Sequence, residues 1–382
     1  MKLKDLGTIF TGNTPKKSDK LNYNSNDICF VKPSDISEKE ITHINHTEYY
    51  IANHAYNSAR LAPKNSILVT CIGIIGKIAI LEKECAFNQQ INAIIPNEKK
   101  IIPYYLAYAL KYKKKSMQDK ANAPVVPIIN KTEFSEINIK VPSLEKQKKI
   151  VNILIKIDKI INWRFQQLNK LNQLVSSLFI EMFGSQLENP YNFEKGIIKD
   201  VVSDVKYGTS SPANDNGIYP YLRMGNITYD GQLDLTNLKY ITIDDKELDK
   251  YIVKKGDILF NRTNSKELVG KTCVFNLDEP MIIAGYIIRV RTNNRVIPEY
   301  LSAVLNSKYG KQTLFDMCKS IVGQANINAQ ELQKIKLLVP PIEIQLKYKS
   351  YLVQIDKSKL AIQQSLEQLE TLKKSLMQEY FC

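Results

Sequence analysis

Residues 141–184 read VPSLEKQKKIVNILIKIDKIINWRFQQLNKLNQLVSSLFIEMFG, and residues 339–382 read VPPIEIQLKYKSYLVQIDKSKLAIQQSLEQLETLKKSLMQEYFC. The two stretches align without a gap at an offset of 198 positions (339 − 141), and 17 of their 44 paired residues are identical. Val141/Val339, Pro142/Pro340, Glu145/Glu343, Gln147/Gln345, Ile157/Ile355, Asp158/Asp356, Leu168/Leu366, Leu171/Leu369 and Phe183/Phe381 are among them. A solenoid repeats every ~20 to 50 residues. This period is far longer, so the chain reads as a domain plus a helix, used twice.

Both copies carry a helical pattern. Apolar residues fall at Leu154, Ile157, Ile161, Leu168, Leu171, Val175, Leu178 and Met182 in the first, and at Leu352, Ile355, Ile362, Leu366, Leu369, Leu376 and Tyr380 in the second. This mixed three-and-four spacing draws one stripe along a helix. Each run starts just after a proline, Pro142 or Pro341, where a missing backbone donor matters little. About 40 residues at about 1.5 Å each extend roughly 60 Å, more than one small globule needs. The two helices are therefore expected to pack on each other, antiparallel, about a pseudo-two-fold axis with a globule at each end. Ile150, Ile153, Ile160, Trp163 and Phe165 lie off the stripe and mark a second apolar face, expected to meet another chain.

The rest of each copy also matches. Gly12-Asn13-Thr14-Pro15 and Gly208-Thr209-Ser210-Ser211-Pro212 precede the strand-like Phe30-Val31-Lys32 and Tyr221-Leu222-Arg223. Ile67-Leu68-Val69-Thr70 and Ile258-Leu259-Phe260-Asn261 follow, each ahead of a polar loop and a Gly-Lys pair, Gly76-Lys77 or Gly270-Lys271. Ile102-Pro103 and Ile297-Pro298 open short helices. The expected fold is α+β: two similar mixed α/β domains over 1–142 and 185–340, with long helices over 143–184 and 341–382 forming an antiparallel coiled coil. The loops at 72–75, 87–91, 263–268 and 283–287 differ between copies, which suggests two related tasks on one scaffold.

With 53 Lys+Arg against 39 Asp+Glu the chain carries +14, which favours a polyanionic partner, most simply nucleic acid. No apolar run reaches the ~18 residues of a membrane span, and Met1 to Phe10 has no signal-peptide pattern, so no membrane contact and a cytoplasmic location are expected. Six cysteines without a CxxC pair suggest neither zinc ribbon nor disulfide framework. His43, His46 and His54 lack a cysteine or carboxylate at motif spacing, so no metal is expected.

At these residues the chain resembles the specificity subunit of type I restriction-modification systems. The most specific element is the duplicated Val141-Pro142-Ser143-Leu144-Glu145-Lys146-Gln147 and Val339-Pro340-Pro341-Ile342-Glu343-Ile344-Gln345, each running into its long helix. The resemblance implies two target recognition domains that read the halves of a bipartite double-stranded DNA sequence. It implies helices that space them and dock two methyltransferase subunits, with restriction subunits able to join. S-adenosylmethionine would belong to the methyltransferase and ATP to the restriction subunit, leaving this chain without cofactor or catalysis. The chain's own motifs agree. Asn189-Pro190-Tyr191 lacks the second proline of an amino-methyltransferase loop, and Gly73-Ile74-Ile75-Gly76 lacks the Gly-Lys-Ser/Thr end of a phosphate loop. Alternatives are a coiled-coil scaffold or a nucleic-acid-binding protein without DNA sequence specificity.

Lysine and arginine would fix phosphates while loop side chains read base edges. The expected DNA contacts are Lys32, Lys77, Asn88, Gln89 and Gln90 in the first domain. In the second they are Arg223, Asn226, Arg262, Asn264, Ser265, Lys266, Lys271 and Tyr286. Arg262 to Lys266 is the strongest single stretch, since it sets several donors between two strand signals.

Overall fold

A computed structural model describes residues 1–121, 126–321 and 324–382. The chain forms two compact units: Met1–Phe165 with Gln363–Cys382, and Gln166–Ile362.

In the first unit the run Ile67–Thr70 is apolar on both faces and wholly buried, as a strand between two cores must be. Alternate side chains point to opposite faces. Ile67 and Val69 therefore join Ile78, Ile80, Ile94, Tyr105 and Leu106 in one core, while Leu68 joins Val31, Ala79, Leu81, Phe87 and Ala93 in another. The sheet runs in the order Gly7–Thr11, Ile91–Pro96, Ile67–Thr70, Ile78–Leu81, Thr42–Ile44. It is antiparallel except for the last pairing. A second sheet sets Ile28–Val31 parallel to Cys85–Phe87, flanked by Tyr50–Ile51 and Leu61–Ala62. The helix Pro103–Tyr112, opened by its proline and buried over Tyr105 to Leu110, covers the larger core.

The second unit repeats this order. Val202–Tyr207, Ile287–Thr292, Ile258–Asn261 and Thr272–Val274 form the main sheet. The second sheet sets Tyr219–Leu222 parallel to Met281–Ile283 between Lys239–Ile241 and Ile252–Val253. Ile258 and Phe260 face one core and Leu259 the other, matching Ile67, Val69 and Leu68. Where the described residues of the first unit have a bridge, Ile72 to Ile128, the second unit has a three-stranded sheet of Thr263–Asn264, Gln324–Asn326 and Lys319–Ile321.

Two 40-residue helices, Leu144–Phe183 and Ile342–Phe381, complete the fold. Each unit holds the start of one and the end of the other. In the first, Ile150 and Leu154 share the core with Met377 and Phe381, and the Phe381 ring lies 5.1 Å from Tyr105. Asp158 there pairs with Lys373 and accepts the Tyr108 hydroxyl at 2.6 Å. In the second, Phe183 packs 4.7 Å from Tyr300 and 5.3 Å from Tyr348. The pairing within each unit is antiparallel, and the packing units cut across both helices instead of following consecutive segments of chain. Ile150, expected on an exposed apolar face, is buried, because its side of the helix is the one that covers the globule.

Candidate nucleic-acid interface

In the second unit three loops leave the same end of the main sheet. They follow Tyr207 and Asn261 and precede Ile287, which the antiparallel register sets side by side. The Arg262 backbone N–H donates to the Tyr286 carbonyl at 3.0 Å, and the Arg262 carbonyl accepts from Ile327 N–H at 2.9 Å. These bonds fix where the side chain leaves. Its guanidinium stacks over the Tyr207 ring at 4.9 Å, with a buried Nε that has no hydrogen-bond partner. Thr263 Oγ1 donates to Asn326 Oδ1 at 3.4 Å, Asn264 Oδ1 accepts from Ser265 N–H at 2.9 Å, and the Lys266 ammonium sits 4.1 Å over Phe315. Tyr286 is exposed. Arg262, Thr263, Asn264, Ser265, Lys266, Tyr207 and Tyr286 thus gather donors and ring faces suited to base edges and phosphates at one end of the sheet.

The first unit builds the equivalent end from different residues. Asn13 Nδ2 donates to the Ser58 carbonyl at 2.7 Å and its Oδ1 accepts from Arg60 N–H at 2.7 Å. Arg60 Nη1 donates to the Thr11 carbonyl at 2.6 Å. Thr14 Oγ1 donates to Gln89 Oε1 at 2.7 Å, which ties the loop after the first strand to the 88–90 loop. Gly12 is needed here. A Cβ on it would lie 2.3 Å from the carbonyl oxygens of Phe87 and Asn88, and one on Gly208 would meet those of Ile283 and Ala284 at 2.2 and 2.3 Å. The glycine that opens each Gly-to-Pro segment is what lets two loops close on each other.

Several residues chosen from sequence are instead committed internally. Lys77 Nζ donates to the Pro33 carbonyl at 3.0 Å, and Lys271 Nζ to the Met224 carbonyl at 2.8 Å. Both hold the same 3-10 turn, and Lys271 is buried. Asn226 is buried too: Oδ1 accepts from Arg223 N–H at 2.9 Å while Nδ2 donates to the Asp234 carbonyl at 2.7 Å. Asp35 takes the matching Lys32 N–H at 2.7 Å. Asn88 is buried, with Nδ2 donating to Gln90 Oε1 at 2.9 Å. Lys77, Lys271 and Asn226 share a physical reason, since each satisfies a backbone carbonyl beside a tight turn, while Asn88 is held by the Gln90 N–H and side chain. Lys32 lies over the Tyr49 ring and Arg223 Nη2 donates to the Asn237 carbonyl at 3.3 Å, both half-buried. Gln89 is exposed and Gln90 half-buried. Sequence reasoning missed Tyr207 and Arg60. Tyr207 had a signal, as the aromatic immediately before Gly208.

On the first long helix Ile153, Ile160, Trp163 and Phe165 are exposed, Trp163 at 61%. Ile153, Ile160 and Trp163 are spaced seven and three apart, on one face. His43 lies against Glu82 and Tyr104, and His54 against Asp19. Among the described residues no group of three metal-ligating side chains occurs, and no helix is long and apolar enough to cross a membrane.

A family model described as the type I restriction modification DNA specificity domain matches residues 1–173 and again 190–371. The EcoKI specificity subunit of Escherichia coli K12 is 25% identical over 366 residues, spanning 88% of this chain and 77% of that protein. The MjaVIII specificity subunit of Methanocaldococcus jannaschii is 25% identical over 350 residues, 84% of this chain and 79% of that one. The crystal structure of a type I restriction-modification S subunit from M. genitalium superposes with a TM-score of 0.61 at 15% identity. It covers 100% of this chain and 95% of that one, a likeness of fold.

Proposed function

Because the chain belongs to the type I restriction-modification DNA specificity family, we propose that its two globules read the two halves of a bipartite double-stranded DNA target. The observation that carries this reading is the contrast between framework and loops. Lys77 and Lys271, Asp35 and Asn226, and Gly12 and Gly208 do the same work in both units, while the loops they support differ in length and chemistry. A scaffold kept constant under two unlike loop sets suits two unlike half-sites. Phosphate contacts set register and the loop side chains discriminate bases.

The long helices space the half-sites, and the exposed apolar surface of the first one, Ile153, Ile160 and Trp163 on one face with Phe165 beside it, receives a methyltransferase subunit. Methyl transfer, with S-adenosylmethionine, and any ATP-driven cleavage then belong to partner subunits. What this chain supplies is the choice of site.

The test is the adenine methylation pattern of the host with this gene intact and deleted. Loss of one bipartite motif on deletion is the expected result and names the target. An unchanged pattern would favour a scaffold without sequence specificity. Trp163→Asp should leave folding intact and abolish co-purification with the methyltransferase subunit; retained co-purification would move the docking face elsewhere.

A further inference from the structure

In the second unit Tyr229, Lys266, Glu267, Lys308, Lys311 and Phe315 line a cleft of about 460 Å³. Lys311 enters over the Tyr229 ring, 4.8 Å from its centre, and donates to the Gly270 carbonyl at 3.4 Å. Lys266 lies over Phe315. Desolvation of Lys311, with the charge of nearby Lys271 added, pushes its ammonium down to about 8, which leaves it charged at neutral pH. Glu267 is the acid of the lining; its carboxylate accepts from Ser265 and feels Lys266. Among the described residues none of Lys308, Lys311 and Lys271 forms an ion pair with a carboxylate.

The first unit treats the same place differently. Glu38 and Tyr229 each stand two residues beyond the matched Ile36 and Ile227; the Lys114 stem lies against Gly76, and at Gly270 Leu314 takes that place while Lys311 reaches the Gly270 carbonyl. There the lysine is neutralised: Lys114 Nζ lies 3.0 Å from Glu38 Oε1. Replacing a carboxylate by a ring holds a cation in position without cancelling its charge. An ammonium held without an ion pair in a partly desolvated cleft, as Lys311 is, is costly unless an anion arrives.

We propose that this cleft clamps a phosphodiester of the DNA backbone, giving the second recognition unit a phosphate anchor that the first unit lacks. The inference rests on the DNA-reading function and adds to it an asymmetry: the second unit holds the backbone more strongly, whatever sequence it reads.

The experiment measures affinity against salt for the full chain in complex with its methyltransferase subunits, on a target duplex and on an unrelated one. Each phosphate neutralised contributes about 0.9 to the slope of log affinity against log salt. Lys308→Met with Lys311→Met should flatten that slope by about 1 on both duplexes and leave the ratio between them unchanged. Tyr229→Glu, which recreates the arrangement of the first unit and removes no lysine, should act in the same direction, while Lys114→Met should leave the slope as it is. An unchanged slope in the double variant and in Tyr229→Glu overturns the clamp while sparing the function. Equal wild-type affinity for both duplexes overturns the sequence-reading function, and the slope comparison still decides the clamp. Inorganic phosphate titrated onto the complex separates the sources: calorimetric binding lost in the double variant, with the DNA slope unaltered, would assign the cleft to a free phosphate compound and overturn the proposal.

Discussion

Gln147 and Gln345, 198 positions apart, make the same three hydrogen bonds in their separate units. Gln147 Oε1 accepts from Ile102 N–H at 2.9 Å, and its Nε2 donates to the carbonyls of Lys100 at 3.0 Å and Pro142 at 2.9 Å. Gln345 Oε1 accepts from Ile297 N–H at 2.9 Å, and its Nε2 donates to Arg295 at 3.0 Å and Pro340 at 2.8 Å. Both side chains are fully buried. Each glutamine joins the first turn of a long helix to the start of the short helix beside it, taking an N–H that the short helix start leaves unpaired and two carbonyls that lead into the helices.

Gln147→Ala and Gln345→Ala should each destabilise their unit by about 1–3 kcal/mol, because backbone donors and acceptors are stranded away from water. Thermal melts and urea titrations check this. A loss under about 0.5 kcal/mol, the range of ordinary surface changes, would mean that water reaches the junction.

Phe381 ends the second long helix, and it lies in the core of the first unit against Tyr105. Phe381→Ala should remove about 3–5 kcal/mol. The loss should be felt in amide exchange over Tyr105 to Leu110, far away in sequence. Phe183→Ala should do the same to the helix carrying Tyr300 in the second unit.

Base reading should divide by unit. Arg262→Ala should relax discrimination in one half-site and Gln89→Ala in the other, each by about 1–3 kcal/mol at the base pair it contacts. Methylation of duplexes scrambled in one half at a time is the measurement. Relaxation in both halves from either change would contradict the division.

The half-buried Lys311 makes a pH prediction. Its folded value, about 8, is below the ordinary 10.5, with Lys271 the charged neighbour that adds to the effect of burial. Below about pH 8 the group is protonated in both states and the fold bears the full burden of the buried charge. Between about 8 and 10.5 the unfolded chain binds the proton and the folded one does not, so stability rises with pH. Lys311→Met should therefore melt higher than the parent at pH 7, and that advantage should shrink as pH rises through 8 toward 10.5. A constant offset across this range would show that packing, not charge, sets the difference.

Much of the fold is legible in the residues. The offset repeat ending in Phe183 and Phe381, the apolar stripes and the prolines at 142 and 341 announce two helices, which run Leu144–Phe183 and Ile342–Phe381. Strand runs such as Ile67–Thr70 declare themselves by β-branched content. The site was less legible. Lys77, Lys271 and Asn226 look like surface donors in one dimension, but whether a polar side chain meets DNA or a nearby carbonyl depends on which turn folds over it. Matched positions proved to be framework, and Arg262 in an unmatched loop is held at the sheet end.

What the sequence determined by itself is what local chemistry dictates: period, helix starts, strands, and a duplicated architecture, since these depend on neighbours along the chain. What only the tertiary structure decided is which distant segments complete each other. Phe381 belongs to the core begun by Leu3, and Lys311 faces Tyr229 where Lys114 faces Glu38. Those pairings follow from how helices and loops pack in three dimensions, and burial and the sharing of charge are settled only there.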